Sequence, residues 1–299
     1  MKKIVSIILL CHLSFWTFGQ FTVGDVPTKF YANSPGLLSP ALAAYESLGS
    51  LTLEGYSSFN GFRKNPKSAK ITAGGFLKNE KLGFYSNVLK YSVQNTSGTD
   101  FSLSTIYRSP LNTKGDKFSL ALSFLVFNQK FDPSQVTVVD PNDPVLLNNS
   151  NNWLNYEAGF SAAIYRPNNY FVAVRAENLI GTKMNYGNDN FNNVKPRLYG
   201  LTLAKFFKSS DFDFGLIVAG SSDIKKFSGE ATASLLYKKI IGLNLMANAN
   251  NIGLGLVFNA GSGFSLGAYS QVLGIGELSC PASNGFFLQK TFSEVRRSL

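Results

Sequence analysis

Side chains that activate nucleophiles or bind zinc are nearly absent from this sequence. The chain contains one histidine, His12, and two cysteines, Cys11 and Cys280. A serine or cysteine nucleophile usually needs a neighbouring base, most often histidine, to remove its proton, and zinc sites are built mainly from His and Cys. Since His12 and Cys11 both lie in the first 19 residues, we predict no enzymatic activity, no cofactor and no metal site in the rest of the chain.

Residues 1–19 have the pattern of a cleaved signal peptide. Two lysines precede the short apolar run 4–10, and the small residues that follow predict cleavage between Gly19 and Gln20. A membrane-spanning helix needs roughly 20 consecutive apolar residues, and polar residues interrupt this run too early. We therefore predict export, with a mature chain that lacks histidine and retains only Cys280.

The other motifs that could do chemistry have simpler interpretations. Asp211 and Asp213 are two residues apart, as a paired-carboxylate acid–base site could be, but they lie beside a predicted turn. The acidic segment 140–143 lacks the glycine and glutamate spacing of a calcium loop, and no helix follows Gly253 and Gly255 as it does in a phosphate loop. None of these motifs predicts catalysis or ligand binding.

Most of the chain from Ser47 onward alternates between apolar residues and polar or small ones. The clearest segments are 118–126, 154–164, 212–218 and 252–258, in which the even-numbered residues are apolar. A period of two indicates β-strands with one apolar face. Segments of about ten residues with this alternation are typical of transmembrane β-barrels.

The composition favours a protein whose outer wall faces lipid. Charged residues make up 15% of the chain and aromatic residues 14%, whereas soluble proteins carry about 25% charged residues. No apolar run after residue 10 is long enough for a spanning helix, and only helices and closed barrels satisfy the backbone inside a bilayer. We predict an all-β fold: a transmembrane antiparallel β-barrel of about 14 strands with a short N-terminal plug, in the outer membrane of a Gram-negative bacterium.

Turn-forming residues divide the chain into domains and strands. We assign 1–19 to the signal peptide, 20–47 to a plug or periplasmic segment, 48–292 to the barrel and 293–299 to a periplasmic tail. The predicted strands are 48–56, 69–77, 82–90, 99–107, 117–127, 153–165, 169–177, 197–207, 211–219, 229–237, 240–248, 251–259, 262–271 and 284–292.

The predicted connections alternate in length. Tight turns and an intermediate fourth connection, 108–116, separate the long ones, and the eleventh connection is short. Outer-membrane barrels have short periplasmic turns and longer extracellular loops, so this alternation places both termini in the periplasm. The long connections are 57–68, 91–98, 128–152, 178–196, 220–228 and 272–283.

Aromatic and basic residues are predicted at the membrane surface. Tyr56, Tyr107, Tyr165 and Tyr237 end predicted strands and are expected in the aromatic girdles at the two interfaces. The formal net charge is +10, and the lysines lie mostly in predicted turns and loops. That distribution suits contact with anionic lipid headgroups, whereas nucleic-acid binding would require a clustered basic patch with interleaved aromatics.

Four charged residues are predicted to point into the barrel. Glu157, Arg175, Glu177 and Glu230 share the inward face of their strands, and Arg175 and Glu177 are two residues apart, hence on one side. They could form a selectivity or gating cluster, or a paired charge network that fills a narrow lumen. The second interpretation is favoured because charges excluded from the lipid face belong inside.

The connection 128–152 is the best candidate for a partner-binding loop. It is rich in proline and asparagine but contains two apolar stretches, and loops of this length are usually functional or disordered. We predict that Val138, Val139, Leu146 and Leu147 contact a surface-exposed partner.

The segment before the first strand resembles a known family. It reads Tyr-x-Asn at 31–33 and Ser-Pro-Ala-x-Ala at 39–43, and this pattern after a signal peptide is similar to the start of PorP/SprF proteins. That family usually has Asn-Pro-Ala where this chain has Ser-Pro-Ala. The segment 170–179, which ends in Asn-Leu, and Arg-Leu-Tyr at 197–199 are similar to mid-barrel strands of the same family.

The resemblance implies a partner role. PorP/SprF proteins are outer-membrane barrels of the Bacteroidota, tied to type IX secretion and gliding motility, and are needed for secretion or surface retention of cargo proteins, often adhesins. The implied partners are outer-membrane lipid, a secreted or surface-anchored cargo and other secretion components. An alternative is a FadL-like passive transporter of hydrophobic small molecules, since that family has fourteen strands and an Asn-Pro-Ala hatch that the motif at 39–43 resembles almost as well.

Overall fold

The described part of the chain covers the barrel wall and part of the segment that precedes it. The computed structural model describes residues 34–43, 45, 48–57, 66–77, 80–93, 95–132, 151–180, 198–223, 227–248, 251–274 and 283–292. The predicted signal peptide and the predicted tail lie outside these residues. Among the residues described, no helix is long and apolar enough to cross a membrane.

Fourteen antiparallel strands close into one barrel. Each strand pairs with its neighbours in the sequence, and β1 closes the ring by pairing with β14. All fourteen strands overlap the predicted ones, so the predicted fold is confirmed. The strands are β1 (Gly49–Ser57), β2 (Lys67–Phe76), β3 (Leu82–Val93), β4 (Thr96–Pro110), β5 (Lys117–Phe131), β6 (Asn151–Arg166), β7 (Tyr170–Glu177), β8 (Leu198–Lys208), β9 (Phe212–Ser222), β10 (Phe227–Tyr237), β11 (Ile241–Asn248), β12 (Asn251–Asn259), β13 (Phe264–Gly274) and β14 (Ser283–Phe292).

Strand β5 shows how the side chains divide between the two faces of the wall. Leu122 and Phe124 expose 67% and 51% of their surfaces on the outside, whereas Ser119, Ala121 and Phe127 are buried inside. The same alternation runs through the other segments in which the sequence predicted it. A ring of exposed apolar side chains on a closed barrel is the surface that lipid requires.

The barrel has a turn end and a loop end. The turn end holds the start of β1, the finish of β14 and the tight connections, such as 167–169 between β6 and β7. The loop end holds the long connections, of which those at 58–66, 132–150, 178–197 and 275–282 follow the prediction. The wall is tallest around β4, β5 and β6, which have 15, 15 and 16 residues, and shortest at β7 and β11 with 8 each.

The third connection is much shorter than predicted. Strands β3 and β4 leave only residues 94–95 between them, where the polar sequence suggested a loop over 91–98. The Tyr91 ring packs so closely on Gly98 that a Cβ there would lie 2.4 Å from Tyr91 Cζ. Gln129 Nε2 donates a hydrogen bond to the Tyr91 hydroxyl at 2.6 Å, so cross-strand packing extends the wall through this polar stretch.

The ninth connection is also shorter than predicted. It covers 223–226 rather than 220–228, because β9 and β10 both extend toward the loop end. The hydroxyl groups of Ser221 and Ser228 share a hydrogen bond of 2.7 Å across the two strands. This polar pair stabilises the ladder where the sequence indicated a loop.

The predicted aromatic girdle is only half right. Tyr107 and Tyr237 are exposed on the outer surface, but Tyr165 is fully buried inside the barrel. Tyr56 also faces inward, where its ring stacks on Tyr269 at 6.0 Å between centroids. The error has a simple cause: position at a strand end does not determine the face, which depends on odd or even placement along the strand.

Candidate functional site in the plugged lumen

The segment before β1 folds inside the barrel as two short 3-10 helices, Pro35–Leu37 and Pro40–Leu42. Each begins with a proline, whose fixed φ suits a helix start and whose missing amide hydrogen costs nothing there. We call the described residues 34–43 and 45 the plug. Ala41 and Leu42 of the plug are fully buried, so this segment packs against the wall.

Hydrogen bonds attach the plug to β5 and β6. The Ala41 amide donates to Ser161 Oγ at 3.2 Å, and the Ser119 hydroxyl donates to the Ala41 carbonyl oxygen. The Tyr45 hydroxyl donates to the carbonyl oxygen of Arg166 at 2.9 Å. The small Ser-Pro-Ala motif therefore allows the plug backbone to approach the wall closely enough for direct hydrogen bonds.

An apolar cluster joins the plug to the inner face of β3–β9 in the turn-end half of the barrel. Tyr45 lies 5.3 Å from Tyr165 and 5.5 Å from Phe171 between ring centroids, in the tilted and edge-on geometries that aromatic rings prefer. Inward-facing residues of the wall complete a single buried cluster with the plug. Its members are Leu38, Ala41, Leu42, Ala43, Tyr45, Tyr85, Ile106, Ala121, Ala163, Tyr165, Phe171, Ala173, Ala204 and Ile217.

Two glycines permit the close contact between plug and wall. A Cβ added to Gly36 of the plug would lie 3.0 Å from the Tyr85 ring and 3.1 Å from the Ala43 backbone. A Cβ on Gly74 of β2 would lie 2.9 Å from the same Tyr85 ring. Both positions need glycine because the ring occupies the space that a side chain would take.

Arg108 lies at the turn end of the lumen, where it is almost fully buried. Its guanidinium stacks on the Phe76 ring, 3.6 Å from the centroid, and pairs with Glu80 Oε2 at 3.0 Å. It also donates to the Tyr165 hydroxyl at 3.4 Å. Arg108 thus connects the β2–β3 turn to the apolar cluster, since Tyr165 belongs to both sets of contacts.

Asp116 organises a second polar group at the turn end, just before β5. It accepts hydrogen bonds from Arg166 Nε at 2.7 Å, Asn112 Nδ2 at 2.5 Å and the Tyr170 hydroxyl at 3.0 Å. The hydrogen bonds from Arg166 and Asn112 lower the pKa of Asp116 from 3.8 to about 2. The carboxylate therefore stays charged through the whole physiological range.

The lowered pKa of Asp116 gives a testable dependence on pH. A carboxyl group whose pKa is lower in the folded state than in the unfolded state stabilises the protein at any pH above its unfolded-state pKa. For Asp116 this stabilisation is lost as the pH falls toward its folded-state pKa of about 2. We expect Asp116→Asn to lower the melting temperature of the barrel by a constant amount from pH 7 to pH 5. The difference from wild type should shrink between pH 4 and pH 2, as measured by heat-modifiable gel migration.

The control for this prediction is Asp211→Asn, since Asp211 is exposed in the turn between β8 and β9. We expect it to leave the melting temperature unchanged at every pH. If Asp116→Asn lowered the melting temperature by the same amount at every pH, that result would contradict a role for the ionised carboxylate.

The four predicted lumenal charges all lie on the inward face, but in two separate places. Arg175 Nη1 pairs with Glu177 Oε1 at 3.4 Å on β7, and Glu157 is buried on the neighbouring β6. Glu230 lies on β10, at a small recess lined also by Met246, Tyr269 and Gln271. The structure therefore brings three of the four residues onto adjacent strands and leaves Glu230 with other neighbours.

Sequence reasoning missed other charges on the inner face of the barrel. Glu54 of β1 and Lys70 of β2 are direct cross-strand partners, and Lys70 interacts electrostatically with both Arg175 and Glu177. The alternation in β1 and β2 already placed Glu54 and Lys70 inward, so this signal was present in the sequence. Arg108 and Asp116 were missed because each sits where a strand meets a turn.

The predicted partner-binding residues Val138, Val139, Leu146 and Leu147 lie outside the described residues. The strands that flank them do define the connection, which runs from 132 to 150 rather than 128–152. Among the described residues there is no group of three or more His, Cys, Asp or Glu side chains that could hold a metal ion.

Comparison with solved structures places this barrel among bacterial outer-membrane proteins. The toluene transporter TbuX of Ralstonia pickettii is similar over 94% of this chain and 100% of its own, with a TM-score of 0.54 and 8% identity. The P. putida toluene transporter TodX is similar over 87% of this chain and 94% of its own, with a TM-score of 0.51 and 8% identity. At such low identity the likeness shows the fold alone.

Sequence comparison identifies the family. No curated protein matches the chain. The profile of the type IX secretion system membrane protein PorP/SprF matches residues 21–287, which covers the plug and nearly the whole barrel wall. The chain is therefore an outer-membrane β-barrel and belongs to the PorP/SprF family of type IX secretion system membrane proteins.

Proposed function

We propose that this chain is a non-enzymatic outer-membrane barrel that supports type IX secretion or the surface anchoring of a partner protein, such as an adhesin. The observation that carries the proposal is the plug packed inside the barrel. Leu42 and Tyr45 of the plug share one buried cluster with Tyr165, Phe171 and other inward residues of β3–β9, and this packing narrows the space available to a polypeptide. The barrel would therefore act through its surfaces, by holding partners at the membrane, rather than as the conduit for secreted protein.

We assign contact with the cargo or with other secretion components to the connection 132–150. Outer-membrane barrels place their longer connections outside the cell, and a connection of this length is usually functional. Its apolar residues Val138, Val139, Leu146 and Leu147 offer the kind of side chain that forms the buried centre of a protein interface.

Replacing these four residues together with serine tests the assignment. Interface residues that matter contribute roughly 1–2 kcal/mol each, so we expect at least about a tenfold loss of partner recovered by pull-down and a matching loss of cargo at the cell surface. Heat-modifiable migration should remain that of wild type, because the substitutions lie outside the strands. The control replaces Asn148, Asn149 and Ser150 in the same connection with alanine and should leave recovery unchanged.

We also propose that the inward charges are structural. Glu54, Lys70, Arg175 and Glu177 on β1, β2 and β7 carry two negative and two positive charges, and the Arg175–Glu177 pair is in contact. Opposite charges that pair across a narrow lumen lower the cost of keeping them out of water. A selectivity filter would instead present charges of one sign.

A second candidate function is passive transport of hydrophobic small molecules. It is supported by the fold that the chain shares with two toluene transporters and by the N-terminal segment inside the barrel. Deleting the gene distinguishes the two. Loss of a surface protein with unchanged uptake of an apolar solute supports the secretion role, whereas reduced uptake with intact surface proteins would replace it with transport.

A further inference from the structure

The charged residues on the outward face of the barrel have an uneven distribution. No outward position of the described strands carries Asp or Glu. At the loop end, the outward charges of the described strands are Lys67, Lys90 and Lys130, which lie on β2, β3 and β5. Elsewhere around the loop end the outward residues of the described strands are uncharged, as at Phe227, and this leaves one basic sector on an otherwise neutral rim.

Strand register places the three lysines in one sector of the wall, in which Lys67 and Lys130 are three strands, or about 14 Å, apart. Lys67 pairs with Ser92, Ser92 with Ser97, and Ser97 with Lys130, so these residues form one row across four strands. Lys90 lies one row lower and diagonal to Lys67, at a Cβ separation of about 7–8 Å. Like charges at this distance repel each other unless an anion lies between them.

The lysines lie just above an apolar belt. The row below Lys90 is entirely apolar across the same four strands. It consists of Ile71, Val88, Phe101 and Val126. Successive rows are about 6.6 Å apart along a strand, and less than that in depth because barrel strands are tilted. Lys90 is therefore one row above the belt, and Lys67 and Lys130 are two rows above it. The headgroup layer extends about 5–7 Å beyond the hydrocarbon, and long lysine side chains that bend toward the belt place their ammonium groups in that layer.

All three lysine side chains are exposed, and no described carboxylate neutralises them. Hydroxyl groups lie between them, since Ser92, Ser97 and Thr99 are outward and exposed in the same two rows. Ammonium and hydroxyl donors above an apolar surface match an amphipathic anion whose phosphate lies at the rim and whose acyl chains extend along the belt. A free anion or a water-soluble protein would make no use of the belt.

We propose that the outward loop-end surface of β2–β5 is a binding site for a phosphate-bearing lipid of the outer leaflet. Outer-membrane barrels have their long connections outside the cell, so the loop end meets that leaflet. Lys67, Lys90 and Lys130 bind the phosphate groups, and Ile71, Val88 and Phe101 contact the acyl chains. This site orients the tall side of the wall in the membrane, independently of any protein partner.

Native mass spectrometry of the full barrel in neutral detergent tests the site, with diphosphorylated lipid A as the probe and phosphatidylcholine as the uncharged comparison. Each lysine near an anionic membrane surface strengthens binding about fivefold. Changing Lys67, Lys90 and Lys130 together to glutamine should therefore weaken lipid A binding about a hundredfold. The same three positions changed to arginine should retain binding.

The matched control removes the same charge from the turn end, with Lys208, Lys238 and Lys239 all changed to glutamine. We expect this variant to bind lipid A nearly as well as wild type. Equal losses in the two triple variants would overturn the site, because they would indicate a general effect of net charge. Displacement of lipid A by an equal concentration of inorganic phosphate would also overturn it, because acyl contact would then be unnecessary.

Discussion

Replacing Leu42 with aspartate is expected to release the plug and to open an ion-conducting path through the lumen. Leu42 is fully buried in the cluster that the plug shares with the wall. Truncating a buried leucine to alanine costs about 2–5 kcal/mol, and an unpaired buried carboxylate adds a further penalty. The wall keeps its own backbone hydrogen bonds, so we expect the plug to detach while the barrel remains folded.

Single-channel recording in planar bilayers measures the effect of Leu42→Asp. Wild type should be nearly silent, and the variant should show stable open channels. The control is Leu111→Asp, since Leu111 is 55% exposed in the turn between β4 and β5 and should leave the lumen closed. A silent Leu42 variant whose N-terminal segment had become sensitive to protease would show that the plug does not seal the pore.

The position and number of strands could be predicted because the membrane imposes a strict pattern. Every spanning strand must alternate between lipid and lumen, and segments such as 118–126 and 252–258 show this directly. A soluble sheet tolerates many exceptions to alternation, whereas an exposed charge in the hydrocarbon does not occur in the described strands. The same constraint made the inward direction of Glu157, Arg175, Glu177 and Glu230 readable from the sequence.

The apolar cluster around the plug could not be predicted from alternation. Tyr165 and Phe171 face inward, and for Tyr165 this contradicts the prediction that it lies in an aromatic girdle. Inward residues can be apolar where another segment covers them, and here the plug supplies that cover. The contact joins residues about 120 positions apart, as in the Ala41–Ser161 hydrogen bond, and no local pattern contains that information.

The lengths of individual strands could not be predicted from the sequence either. Beyond the hydrocarbon, both faces of a strand meet water or headgroups, so alternation disappears although the ladder continues. The sequence 91–98 is mostly polar for this reason and resembled a loop. What reveals the strand is the pairing of Tyr91 with Gly98, which becomes visible only once the register of β3 and β4 is known.

Placing an arginine at Leu122 is expected to have the second large effect. Leu122 lies in the middle of β5, is 67% exposed on the outer face, and pairs with Thr105 and Phe160. An arginine on the lipid face near the bilayer midplane costs about 2–4 kcal/mol. Urea titration of the barrel in lipid vesicles, followed by heat-modifiable migration, should show a loss of this size in the free energy of unfolding.

The control for Leu122→Arg is the same substitution at Asn128 on the same strand and face. Asn128 shares a row with Lys90 and Thr99, above the apolar belt, where an added arginine costs only about 0–1 kcal/mol. Both variants gain one identical charge, so the difference between them measures depth in the bilayer alone. Equal losses in the free energy of unfolding at the two positions would mean that Asn128 does not lie above the hydrocarbon. Lys67, Lys90 and Lys130, which are in the same row as Asn128 or above it, could then not be assigned to the headgroup layer.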